Sequence, residues 1–191
     1  MRRMVGKFVA WLTGWRVEGE QPDSPKFVLL AAPHTSNWDL LYLLTLAWSV
    51  GIPVAWMGKH SIFWGPLGPI MKALGGVPVR RDRRNDLVQQ MSDRFRDAER
   101  LVLTVQPEAT RARAEYWKSG FYQIAKAAGV PIHLGYLDYA RKAGGFEASI
   151  VPSGDIDADM EVIRAFYADK SARYPELVGP IRLPEESSPP D

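Results

Sequence analysis

Residues 27–50 read FVLLAAPHTSNWDLLYLLTLAWSV, and two apolar patterns meet within them. Residues 27–31 are a short unbroken apolar run, as expected of a strand buried on both faces. Residues 38–50 are rich in Leu and free of Gly and Pro, which predicts a helix. Between the two stands a polar turn, Pro33, His34, Thr35, Ser36 and Asn37, followed by Trp38 and Asp39. It leaves the carboxyl end of a buried strand, where open α/β sheets place their sites. His34 has the side chain whose ordinary pKa lies nearest neutrality, which suits a general base. Asp39 is placed to hold the other imidazole nitrogen and so select its tautomer. A second reading makes Asp39 a capping acid three residues after Ser36.

Working outward, the alternation continues. Strands are predicted at residues 54–57, 77–79, 101–105, 131–137 and 147–151. Helices are predicted at 66–74, 85–99, 116–128 and 157–173. This is the pattern of an α/β fold: a single domain with a largely parallel central sheet flanked by helices. A length of 191 residues suits one domain. Ahead of it, Met4, Phe8, Trp11 and Trp15 recur at helical spacing among Arg2, Arg3 and Lys7. A short amphipathic helix over residues 1–18 follows. Such a helix fits a membrane interface or a place on the domain's own core, and periodicity alone does not choose. No apolar run reaches the ~20 residues of a membrane-spanning helix. Residues 183–191 are rich in Pro and acids, the composition of a flexible tail.

The absence of Cys removes disulfides, thiolate nucleophiles and cysteine metal sites together. Three His (His34, His60, His133) leave little for a metal centre, and none is expected. The net charge of +2 hides an asymmetry: residues 1–100 carry 14 Lys and Arg against 9 Asp and Glu. A basic front half suits a polyanionic partner.

Two further segments carry chemistry. Gly75-Gly76-Val77-Pro78-Val79-Arg80-Arg81-Asp82-Arg83-Arg84 puts four Arg in five positions after a Gly bend. The guanidinium fork matches phosphate oxygens, while the plainer reading is a solvated basic loop. No helix-turn-helix, zinc finger or aromatic platform accompanies the run, so no nucleic-acid partner is expected. Gln106-Pro107-Glu108-Ala109-Thr110-Arg111 follows another buried strand, so Glu108, Thr110 and Arg111 can face the crevice that holds His34. Glu108 and Arg111 could equally be a surface ion pair worth ~0–1 kcal/mol. Lys59, after the second strand, is one more candidate cation.

Four segments in order, His34-x4-Asp39, Gly75 to Arg81, Pro107 to Arg111 and Val130-Pro131-Ile132, resemble the ordered blocks of the glycerolipid acyltransferases, whose best-known members are the 1-acylglycerol-3-phosphate acyltransferases. The match covers residues 27–139. The resemblance implies His34 as general base and Asp39 as its orienting partner. It implies Arg81, Glu108 and Arg111 around the acceptor's glycerol phosphate, and Val130-Pro131-Ile132 in the acyl pocket. The donor it implies is acyl-CoA or acyl carrier protein, the acceptor a lysophospholipid, with no cofactor. Three positions depart from the family pattern: Arg80 replaces an acid, Ala109 a glycine and Leu134 a proline. A glycine at 109 supplies either a positive φ or a close approach to phosphate.

The resulting expectation divides the chain into a membrane-interface helix (1–18), an acyltransferase domain (19–182) and a flexible tail (183–191). The protein is expected in the cytoplasm, peripheral on the inner face of the membrane. Rival readings are the same chemistry on another lyso-lipid, a catalytically silent lipid- or carrier-binding module, and a phosphoesterase using His34.

Overall fold

The computed structural model describes residues 1–19, 21–79 and 84–186, without the side chains of residues 84–86. Among these residues seven strands form one sheet in the order β1-β7-β6-β2-β5-β3-β4. The strands are β1 (Arg16–Gly19), β2 (Lys26–Ala32), β3 (Val54–Lys59), β4 (Gly76–Val79), β5 (Leu101–Val105), β6 (Ile132–Asp138) and β7 (Ala143–Ile150). The helices are α1 (Arg2–Thr13), α2 (Trp38–Val50), α3 (Gly68–Ala73), α4 (Arg84–Asp97), α5 (Gly120–Ala128) and α6 (Ile156–Tyr167). Strands β6, β2, β5, β3 and β4 run parallel, whereas β7 turns back antiparallel to β6 and carries β1 beside it. The α/β fold with a largely parallel sheet is therefore as the sequence predicts.

Pleating splits β2 between two cores. Phe27 and Leu29 face Leu44 and Ala47 of α2, together with Trp56, Phe63 and Phe146. Val28 and Leu30 face Phe121 and Ile124 of α5, Met160 and Ile163 of α6, and Met91 and Phe95 of α4. A strand buried on both faces reads as the continuous apolar run seen in the sequence. Helices α2 and α3 thus cover one face of the sheet, with α1 packed on α2, and α4, α5 and α6 cover the other.

Several elements differ from expectation for identifiable reasons. Strand β1 has a single strongly apolar residue, Val17, and so gave no sequence signal. Its partner β7 begins four residues before the predicted start because Gly144 and Gly145 mask it. An added Cβ at Gly145 would stand 1.8 Å from the Glu18 carbonyl oxygen, so the pairing requires Gly. Helix α5 starts late because residues 117 and 118 donate their N–H groups to Arg182 and Pro107 carbonyls. Helix α6 stops at Tyr167, and the chain then turns so that Ser171 accepts the Tyr139 N–H. The tail is docked through residue 186: Leu183 is buried, and Arg164 pairs with Glu186. Residues 187–191 lie outside the described residues.

Helix α1 ends at Gly14 (φ 73°), and residues 16–18 belong to the sheet rather than to the N-terminal helix. It packs on α2 through Gly6, where an added Cβ would lie 2.6 Å from Ser49 N and 2.7 Å from the Thr45 carbonyl oxygen. Met4, Phe8 and Trp11 are exposed, but Trp15 is not. Trp15 stacks on Tyr42 at 4.3 Å and meets Tyr139 edge-on at 5.0 Å, which removes it from the expected membrane-facing set. Among the described residues no helix is long and apolar enough to cross a membrane.

Because the α1–α2 contact leaves no room for a methyl group, Gly6→Ala should destabilise the packed helix by ~1–3 kcal/mol. Hydrogen exchange should show lost protection across α1, with a lowered thermal midpoint. Unchanged protection would mean that α1 is not held at Gly6.

Candidate functional site

Strand β2 delivers the chain to the edge of the sheet, where the cis Ala32–Pro33 peptide begins the turn into α2. The turn folds around one carboxylate. Asp39 Oδ2 accepts from His34 Nδ1 (2.9 Å), Thr35 N (3.0 Å) and Ser36 N (2.9 Å), while Oδ1 accepts from the Tyr139 hydroxyl (2.5 Å). The acid also sits in the first turn of α2, where the helix dipole favours negative charge. Burial works against its ionisation, yet the bonds from His34, Tyr139 and Ser36 outweigh it and hold Asp39 below its ordinary pKa. With Nδ1–H given to Asp39, the proton-accepting nitrogen of His34 is Nε2.

Glu108 approaches from the end of β5. Its Oε1 accepts the His34 backbone N–H at 3.0 Å, and its Oε2 has no partner among the described residues. Burial, opposed by these few backbone donors, pushes its pKa up to about 7. Glu108 therefore braces the His34 turn from behind. Ala109 follows at φ 55°, a left-handed conformation that favours glycine. The structure thus accounts for the family's glycine at this position. Thr110 Oγ1 accepts the Ala112 N–H, and Arg111 is exposed. Lys59 closes β3 opposite Val79, exposed on the same edge of the sheet. Arg81 lies outside the described residues. The structure thus brings His34, Asp39 and Glu108 into one cluster, with Thr110, Arg111 and Lys59 on the surrounding rim.

An apolar cleft opens beneath His34 and Asp39, walled by Leu29, Leu43, Leu46, Ala47, Leu137 and Phe146. The β6–β7 ladder shifts register at Leu134/Gly135 beside it, as bulges often do next to sites. Val130 and Ile132 are buried on the opposite face of the sheet, so they do not form the wall of this cleft as expected. Among the described residues no group of three or more His, Cys, Asp or Glu side chains could hold a metal ion.

Sequence reasoning missed Tyr139 and Arg173. Beyond its bond to Asp39, Tyr139 is flanked by the Arg173 guanidinium at 5.8 Å from its ring, and the same group lies 5.7 Å from the Trp38 ring. The Tyr174 N–H donates to Thr35 Oγ1 at 3.2 Å, fixing this segment against the turn. The available signal was an aromatic hydroxyl directly at the carboxyl end of a predicted strand.

A family model described as Acyltransferase matches residues 15–152. No curated protein sequence matches significantly. Among solved structures, the chain is similar to the 1-acyl-sn-glycerophosphate (LPA) acyltransferase PlsC from Thermotoga maritima. The TM-score is 0.58 at 17% identity, covering 90% of this chain and 79% of that one.

Two outcomes follow from Ala109 and Glu108. Ala109→Gly relieves a left-handed alanine, so it should stabilise the fold by up to ~1 kcal/mol and raise Tm by about 2–4 °C. A lowered Tm would show the turn to be unstrained. A carboxyl whose folded pKa exceeds its unfolded value binds its proton more tightly in the folded protein. Glu108 therefore contributes stability below its ordinary pKa of 4.5 that is lost as pH rises through about 7, on the order of 3 kcal/mol. Denaturant unfolding across that window should show the decline flattened in Glu108→Gln. An equal decline in both proteins would assign it to another group.

Proposed function

Because the chain belongs to the acyltransferase family, we propose that it moves a fatty acyl group from acyl-CoA or acyl carrier protein to the free hydroxyl of a lysophospholipid. A 1-acylglycerol-3-phosphate-like lipid is the acceptor that fits best. The observation that carries this reading is the bond from His34 Nδ1 to a charged Asp39 beside an apolar cleft. His34 Nε2 takes the proton of the acceptor hydroxyl as its oxygen attacks the thioester carbonyl carbon. The carbon–sulfur bond then breaks, and the proton on Nε2 passes to the departing thiolate. Asp39 stabilises the imidazolium in between, and Tyr139 keeps the carboxylate aimed. The apolar cleft suits the fatty chain. Arg111, with Arg81, supplies guanidinium donors suited to the acceptor's phosphate.

The lipid acceptor and product of such a reaction reside in a bilayer. Exposed Met4, Phe8 and Trp11, with the cationic Arg2, Arg3 and Lys7, support peripheral docking on the inner face of the cytoplasmic membrane.

Steady-state transfer of a labelled acyl group tests the mechanism. His34→Ala should lose ~10²–10⁴-fold in kcat with its folded spectrum retained. Tyr139→Phe, which removes one bond to the carboxylate, should lose ~10-fold in kcat with little change in KM. Full activity in a folded His34→Ala protein would overturn the assignment, and a changed KM alone would make Tyr139 a binding residue.

A further inference from the structure

The apolar residues left exposed by this fold are unevenly spread. Of the 15 large exposed ones among the described residues, 12 lie on α1, α2, α3 or the turn before α3. Half of these belong to α1 and its N-terminal cap; the others include a group that sequence periodicity did not mark. Trp64 is 73% exposed, Leu67 60% and Ile70 51%.

This second patch is held in place rather than loosely hung. Phe63 is buried against Trp56, with ring centroids 5.9 Å apart. Gly68 lies so close to the Phe63 carbonyl oxygen that an added Cβ would be 2.1 Å away. Anchored on either side, Trp64 and Leu67 face outward. The Trp64 indole N–H donates to His60 Nδ1 at 3.1 Å, so the ring can leave water without stranding a donor.

The patch adjoins α1. Arg2 at the start of α1 donates to the Ala73 carbonyl oxygen at the end of α3 (2.8 Å), and its guanidinium lies 5.8 Å from the Trp48 ring. At its other end the turn leaves the carboxyl edge of β3, the edge from which β2 and β5 present His34 and Glu108. Charge follows the same layout. Residues 1–17 and 40–79 contain no Asp or Glu, while Arg2, Lys7, Lys59 and Lys72 are exposed there. An exposed apolar patch among exposed Arg and Lys matches a bilayer carrying anionic lipid.

We propose that Trp64, Leu67 and Ile70 form a second docking point for an anionic lipid surface, acting with α1 to bring the His34 edge against the bilayer. The proposal deepens the membrane reading above, and its test does not depend on catalysis. Full-length protein is sedimented with vesicles of phosphatidylcholine and phosphatidylglycerol, and with phosphatidylcholine alone. The Trp64→Ser/Leu67→Ser protein should bind the anionic vesicles about tenfold more weakly than its parent, with an unchanged circular dichroism spectrum. Trp64→Phe keeps the apolar area, so it should bind like the parent but lose part of the fluorescence quenching caused by brominated lipid. Parent-like binding of Trp64→Ser/Leu67→Ser overturns the proposal. If Phe8→Ser/Trp11→Ser then fails to bind, α1 alone is the membrane contact and the catalytic reading stands. If instead sedimentation velocity shows parent self-association that Trp64→Ser/Leu67→Ser abolishes without altering vesicle binding, a second copy of the chain is the occupant and the proposal fails. Weakened vesicle binding in a protein without acyl transfer would keep the docking point and remove the proposed reaction.

Discussion

The buried carboxylate of Asp39 sets the arrangement of everything around it. A charge taken out of water is tolerated only when donors replace the lost solvent, and four of them converge here: two backbone N–H groups, an imidazole and a phenol. The backbone donors fix the turn between β2 and α2. The phenol of Tyr139 ties in the corner where β6 turns back toward β7. The imidazole is the only one of the four with a further proton-transfer site to offer. A single anion thereby ties the β2–α2 turn to the β6–β7 corner and leaves His34 one orientation.

Two buried carboxyls bonded to the same turn end with opposite protonation tendencies. Asp39, supplied with donors on both oxygens, is held below its usual pKa, whereas Glu108, with one oxygen unpartnered, is pushed up to about 7. Desolvation acts on both, and the number of donors decides the outcome. The region behind His34 therefore gains a second negative charge only as the pH passes neutrality. Its first, on Asp39, is in place well below that pH.

Much of this could be read from the residues because the two-sided burial of β2 and β5 left apolar runs, unbroken in β2 over residues 27–31 and interrupted only by Thr104 in β5. The Leu-rich α2 was equally plain. His34, Asp39 and Glu108 were legible since each follows such a run closely. What escaped the sequence depended on partners far along the chain. Val17 signals nothing until Gly144 lies beside it, and Trp15 follows the periodicity of α1 until Tyr42 and Tyr139 enclose its ring. Tyr139 and Arg173 reach the turn only through the reversal of β7 and the early end of α6. Helix α3 was expected, but Trp64 before it follows no period, because its place comes from Phe63 and the backbone packed against it. Ala109 was the informative exception: the departure from the family pattern marked either a positive φ or a close approach to phosphate, and the backbone there is left-handed.

The sheet's edge strand has a consequence for how the chain is made. Among the described residues β1 pairs with β7 alone, joining Arg16 to Ala143, so the segment after α1 has no sheet to enter until β7 has been made. The partner of α1 itself, α2, comes within the first 50 residues. Synthesis proceeds at roughly 5–20 residues per second, which gives the nascent helix several seconds with its apolar and cationic side chains on display before β7 fastens the strand behind it. First contact with whatever that helix binds can therefore precede completion of the domain, with final closure of the sheet occurring on a chain already held at its front end.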